Sequence, residues 1–123
     1  MRKSGAIVAG FIGWIVVATV FGRLLRAMSA AYVTAEPTFA FTLPMLASRL
    51  AIGAAATLAG GAIIQRFAND RRAVLIGGIV LLALFVPQHI MLFDKFPLWY
   101  HALFLISLVP LTLAGGRIVE PRR

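Results

Sequence analysis

Charged residues divide this chain into long apolar runs. Residues 4–22, 73–93 and 96–116 form three uncharged stretches of 19, 21 and 21 residues. A bilayer core takes about 20 residues of helix, so each stretch predicts a transmembrane helix. A fourth run, 44–65, is long enough but contains Arg49, and the uncharged part after it, 50–65, has only 16 residues. It is read as a span as well, because Arg49 sits near one end and its long side chain can reach toward the headgroups. The expected spans lie at about 5–22, 44–65, 73–93 and 96–117, with a long connection at about 23–43. The expected fold is all-α: a single-domain (1–123) integral membrane four-helix transmembrane bundle.

The connections differ in kind. Asp94 and Lys95, followed by Phe96 and Pro97, mark a tight turn between the third and fourth spans, and residues 66–72 make another short loop. The long first connection opens with Leu24, Leu25, Met28 and Tyr32 on one helical face and Arg23 and Arg26 turned away. Either the first helix runs on past the membrane or a short helix lies at the interface, and Glu36–Pro37 should stop it. Residues 38–43 alternate Phe39 and Phe41 with small residues, a pattern suited to dipping aromatics into the interface. Pro87 and Pro110 should kink or loosen the third and fourth spans.

Composition agrees with a membrane location. The chain is 61% hydrophobic and 13% charged, against about a quarter charged in soluble domains, and its mean hydropathy is +0.94. The formal charge of +8 would suggest nucleic acid in a soluble protein. Here the basic residues lie in the gaps between apolar runs, so topology accounts for them and no nucleic-acid partner is expected. With the N-terminus inside, the inner segments hold eight basic residues: Arg2, Lys3, Arg66, Arg71, Arg72, Arg117, Arg122 and Arg123. The outer side holds Arg23, Arg26, Lys95 and, near it, Arg49, which is four. The bias puts both termini in the cytoplasm, and the basic inner rim is suited to anionic lipid headgroups. Arg2 and Lys3 before an apolar run resemble the start of a signal peptide, but this run exceeds the usual core of about 7–15 residues, and it reads as a retained anchor. The size and span count suit the bacterial inner (plasma) membrane.

Five residues recur in order. Thr57-Leu58-Ala59-Gly60-Gly61 ends the second span and Thr112-Leu113-Ala114-Gly115-Gly116 ends the fourth. This suggests duplication of a two-helix unit in parallel orientation, although Gly, Ala and Leu are common enough in membrane helices to coincide. On either reading the glycine pairs Gly60–Gly61 and Gly115–Gly116 imply close helix contact. The second span also carries a stripe of small residues, Gly53, Ala56, Thr57 and Gly60, which should face other helices rather than lipid.

Arg49 shares that stripe, four residues before Gly53, and is thereby directed into the bundle. It needs a counter-charge, and Glu36 and Asp94 are the acids on that side. His89 and His101 lie at a similar depth, roughly 6–8 Å below the outer boundary at 1.5 Å per residue, with Gln88 and Tyr100 beside them. The candidate polar cluster is Arg49, Gln88, His89, Asp94, Tyr100 and His101. Such a layer can bind an anion or quinone headgroup, relay protons or sense pH; the plainer reading is that its members satisfy one another, helix ends and interfacial water. The His89, Asp94 and His101 spacing fits no metal signature, so neither a metal nor another cofactor is expected. Trp99 and Tyr100 suit an aromatic belt at the membrane surface, whereas Trp14, deeper in the first span, suits packing or lipid contact.

Other chemistries leave no trace. The absence of cysteine excludes disulfides and thiolate sites, and neither a Gly-rich phosphate loop nor a His-Glu-x-x-His motif occurs. No acidic residue lies deep in a span, as a small proton-coupled exporter would need. The expected function is therefore that of a non-enzymatic small membrane protein, an accessory or assembly subunit acting through helix contacts, within a homo-oligomer or a larger membrane complex. The alternative is a small oligomeric transporter or channel with a polar access site near the outer face. An enzyme or redox protein built on His89 and His101 is the third class.

Overall fold

The computed structural model describes residues 2–120. Five α-helices follow in order: α1 (Lys3–Met28), α2 (Ala30–Ala35), α3 (Leu43–Ala68), α4 (Arg71–Met91) and α5 (Leu98–Ile118), with 3-10 turns at Glu36–Thr38 and Phe93–Lys95. No strand occurs among the described residues. Four of the helices, α1, α3, α4 and α5, are long and apolar enough to cross a membrane. Two of them overrun their apolar sequence, α1 and α3 each reaching 26 residues.

Local chemistry sets the breaks. Ser29 drops into an extended conformation after α1, and its Oγ accepts the Tyr32 N–H at 3.1 Å, which starts α2 in a new direction. Asn69 ends α3 in the left-handed region, φ 49°, which asparagine tolerates better than most residues. Asp70 then caps α4 by accepting the Arg72 N–H at 3.0 Å. Pro44 stands in the first turn of α3, where a missing N–H leaves no helical bond unmade. Pro87 and Pro110 sit inside α4 and α5, both of which continue through them.

The chain goes up α1, down α3, up α4 and down α5, so both described ends and the α3–α4 turn share one end of the bundle. Two ion pairs lace that end. Lys3 meets Asp70 at 2.7 Å and Arg71 approaches Glu120 at 3.9 Å. Hydrogen bonding by Lys3, then by the Arg72 N–H, holds the Asp70 carboxyl below its ordinary pKa. Arg2, Arg66, Arg72 and Arg117 belong to the same basic end, whereas Arg122 and Arg123 lie outside the described residues. The opposite end is aromatic.

In the middle and toward the basic end, α3 packs on α1 and α5, and α5 packs on α4. Small residues set these distances. A Cβ at Gly61 would fall on the Thr112 carbonyl, and one at Gly115 on the Leu58 carbonyl, so here α3 and α5 touch backbone to backbone. A Cβ on Gly60 would come within 3.1 Å of the Gly10 carbonyl of α1. Gly53, Ala56, Gly60, Gly61, Gly115 and Gly116 are all buried. Thr57 and Thr112, at equivalent places in the two five-residue motifs, each donate to the carbonyl four residues earlier at 2.6 Å, which satisfies a buried hydroxyl within its own helix. Large apolar side chains point outward instead: Val8, Ile12 and Val16 of α1, Ile76 and Ile79 of α4, and Leu103 and Ile106 of α5 are exposed, as suits a lipid-facing surface.

The aromatic end folds inward. Phe39 and Phe41 do not dip away from the protein, as their alternation suggests; they roof the bundle over Phe96. Phe41 stacks on Phe96 at 5.8 Å, Phe39 meets it edge-on at 5.5 Å, and Tyr100 stacks beneath it at 4.6 Å. These contacts hold Phe39 at φ 56°, a conformation unfavourable for a bulky residue. Tyr100 is likewise buried rather than set in a surface belt, while its neighbour Trp99 stays exposed. The physical reason is competition: these four aromatic rings cover a guanidinium that the interface would otherwise hydrate.

Valine at Gly61 or Gly115 must force α3 and α5 apart. Each substitution should cost about 2 kcal/mol or more and lower the thermal unfolding temperature in detergent, whereas Ala83→Val at an exposed position of α4 should leave it nearly unchanged. Equal melting of all three variants would show that the two backbones do not touch.

Candidate functional site

The six residues of the candidate cluster do not form one group. Arg49 and Tyr100 come together, His89 and His101 come together, Gln88 stands at the edge of a cavity, and Asp94 lies exposed in the α4–α5 turn. The His89 ring lies 6.4 Å from the Tyr100 ring and so joins the two pairs.

Arg49 projects from the second turn of α3 into the aromatic roof. Its Nε donates to the Tyr100 hydroxyl at 3.1 Å and its Nη1 to the Tyr32 hydroxyl at 2.7 Å. The guanidinium carbon lies over the rings of Phe41 and Phe96, at 5.0 and 5.4 Å from their centroids, within cation–π range. The counter-charge expected of Glu36 or Asp94 is not delivered. Both Glu36 oxygens go to Arg26 instead, accepting from Nε at 2.6 Å and Nη2 at 3.0 Å. Among the described residues no carboxylate is paired with Arg49. Arg26, which helical phase turns away from the apolar face of the first connection, reaches back over α2 to this end of the bundle.

Beneath Arg49 is a cavity of about 220 Å³. Its upper wall carries Arg26, Tyr32, Arg49, Gln88 and Tyr100; its lower part is apolar, with Ile52, Phe85 and Phe104. The α1 side is a row at four-residue spacing, Trp14, Ala18, Gly22 and Arg26. Trp14 makes the floor. Its Nε1–H donates to Thr57 Oγ1 at 3.0 Å and its ring meets Phe85 at 4.7 Å, which in turn meets Phe104 at 5.2 Å. Phe104 can lie there because Gly53 has no side chain: a Cβ would come within 2.8 Å of its ring.

The two histidines face each other through the same nitrogen. His89 Nδ1 and His101 Nδ1 are 2.6 Å apart, and His101 Nε2 is 3.2 Å from the Phe93 carbonyl. A carbonyl only accepts, so His101 carries its proton on Nε2 and its Nδ1 accepts. His89 must then donate from Nδ1, which leaves its Nε2 as the free lone pair of the pair. His101 is buried, and its ring stacks on Phe93 at 5.6 Å. An apolar groove of about 270 Å³ runs past both rings between Phe93 and Leu105. Among the described residues no three His, Asp or Glu side chains come close enough to hold a metal ion.

Sequence reasoning did not bring Arg26, Tyr32, Trp14 or Phe96 into this site. For Trp14 and Arg26 the signal was weak: they end a four-residue row along α1 that drifts about 120° around the helix over its twelve residues. Tyr32 carried none, because the break at Ser29 redirects it. Compared with known protein families, with curated proteins and with solved structures, the chain matches none of them.

Two outcomes test this geometry. Nitrogen chemical shifts of ring-labelled histidine near neutral pH should show His101 protonated at Nε2 and His89 at Nδ1; two Nε2 tautomers would contradict the hydrogen-bonded pair. The Arg26 bonds hold Glu36 below its ordinary value of 4.5 against the opposing effect of burial, and the charges of Arg26 and Arg49 add smaller lowering effects. A depressed carboxylate stabilises the fold above its unfolded pKa and loses that contribution as pH falls through its folded value. Glu36→Gln should therefore lower stability slightly at pH 6, by roughly 0.5 kcal/mol for so exposed a pair, and flatten the fall in melting temperature below pH 4.5. An unchanged acid limb would mean that the pair contributes nothing.

Proposed function

We propose that this chain is a non-enzymatic integral membrane subunit that works through contacts in the bilayer plane, as an accessory or assembly component of a larger membrane complex. The observation that carries the reading is the double closure of the bundle below its cavity. The Trp14–Thr57 floor with Phe85 and Phe104 closes it once. The glycine-spaced contacts of α3 with α1 and α5 close it again. A bundle filled this way offers a solute no path through one copy, and backbones in contact resist the separation that a path would need.

The basic end is read as cytoplasmic from the excess of Lys and Arg there, with anionic lipid as its partner and a bacterial inner membrane as its setting. The shared motif supports descent from a duplicated two-helix unit, because α1–α3 and α4–α5 are like pairs that meet along α3 and α5. A second reading, a transporter or channel assembled from several copies, is favoured by the cationic cavity at the aromatic end.

Native mass spectrometry of protein released gently from its own membrane separates the two. A stoichiometric foreign chain is the expected result. A homo-oligomer without other chains, together with solute flux in reconstituted vesicles, would replace the first reading with the second.

A further inference from the structure

The arrangement around Arg49 is incomplete as a structural ion site. Its hydrogen bonds run from Nε and Nη1 to neutral hydroxyls, which orient a guanidinium and cancel none of its charge. The four acids of the chain are accounted for elsewhere: Glu36 on Arg26, Asp70 on Lys3, Glu120 beside Arg71, and Asp94 in the exposed turn. Glu36 feels the charge of Arg49 but bonds Arg26, so the half-buried guanidinium has no carboxylate in contact with it, which is costly in an apolar medium. The faces of Phe41 and Phe96 offset part of that cost, and an anion from outside would offset the rest.

The cavity beneath offers the place for one. Arg26, whose Nε and Nη2 are held by Glu36, keeps Nη1 uncommitted on the cavity wall and Gln88 adds an amide, so donors from α1 and α4 join Arg49 of α3 on a single rim. Guanidinium groups pair well with planar or tetrahedral oxyanions and are weakly hydrated. At about 220 Å³ the space is smaller than the roughly 300–1,000 Å³ that encloses a drug-sized molecule, and it suits a headgroup rather than a whole ligand. Its lower part is apolar down to Trp14. Arg26 and Gln88, its exposed members, stand on α1 and α4, so its mouth lies between those two helices, at the lipid-facing seam.

We propose that this cavity binds the oxyanion, phosphate or carboxylate, of an amphiphile that enters from the surrounding leaflet between α1 and α4. Arg49 is the principal ligand, held in place by Tyr32 and Tyr100. Arg26 and Gln88 contact the outer side of the headgroup, and the apolar chain lies along the α1–α4 seam. The site stands whether or not a partner subunit is found.

Trp14 on the cavity floor is a built-in reporter once the other tryptophan is removed by Trp99→Phe at an exposed position. The protein in phosphatidylcholine nanodiscs is titrated with decyl phosphate, decyl maltoside and inorganic phosphate. Decyl phosphate should change Trp14 emission saturably and add one molecule per chain in native mass spectra, with no such response to decyl maltoside. Arg49→Gln should raise the half-saturating concentration at least tenfold. Equal responses to the charged and neutral amphiphiles, or equal binding by the variant, would overturn the site. Inorganic phosphate saturating at the same concentration as decyl phosphate would overturn the amphiphile and leave a site for a free anion. If Arg49→Gln does not fold, Gln88→Leu and Arg26→Gln at exposed positions serve in its place. Each should weaken binding about threefold, and unchanged binding in both would overturn the proposal.

Discussion

The contact of α3 with α5 is the constraint on which the rest depends. Lipid tails are as apolar as leucine, so helices in a bilayer gain little from hiding apolar side chains and must associate through close packing and polar bonds. Here Gly61 lies on the Thr112 backbone and Gly115 on that of Leu58. With α3 and α5 in contact, α1 settles against the Gly60 side of α3, and α4 against α5, where Gly78 faces Thr112. The bulky residues left over face outward, where they meet lipid without penalty.

The same central helix creates the opposite situation at its other end. Arg49 is one turn before Gly53, so the packing face that brings Gly53 inward also brings in a guanidinium. Two tyrosine hydroxyls and two phenylalanine faces take it up, and a roof of aromatic rings folds over it. Burial of this cation explains why Phe39 accepts an unfavourable backbone angle and why Tyr100 leaves the surface. It also explains the asymmetry of the bundle, with one half filled to backbone contact and the other holding a cavity between cationic and aromatic walls. The His89–His101 pair extends this polar layer toward α4, where Pro87 two residues before His89 interrupts the helical hydrogen-bond pattern.

Much of the architecture was legible in the chain. Four apolar runs predicted the four long helices, because a bilayer imposes length and composition directly on local sequence. The stripe from Gly53 to Gly60 was legible as a packing face for the same kind of reason, since small residues at helical spacing have few other uses in a membrane. The break at Ser29 and the short α2 beyond it were less so. They depend on one capping hydroxyl, and the apolar pattern of residues 24–32 alone allows one continuous helix as readily.

What the sequence determined by itself was the number and kind of helices, and that Arg49, His89 and His101 stand at comparable depth, since both follow from counting residues along an axis. Which of them meet was decided by the tertiary structure alone. Glu36 pairs with Arg26 and leaves Arg49 to the tyrosines, because the turn at Ser29 and the fold-back of residues 36–42 bring Tyr32 over the bundle. Asp94 stays apart because its 3-10 turn faces solvent. The two histidines meet because α4 and α5 are adjacent and antiparallel. Counting gives depth along the membrane normal; azimuth around it depends on how helices pack, and no local pattern in the chain records that.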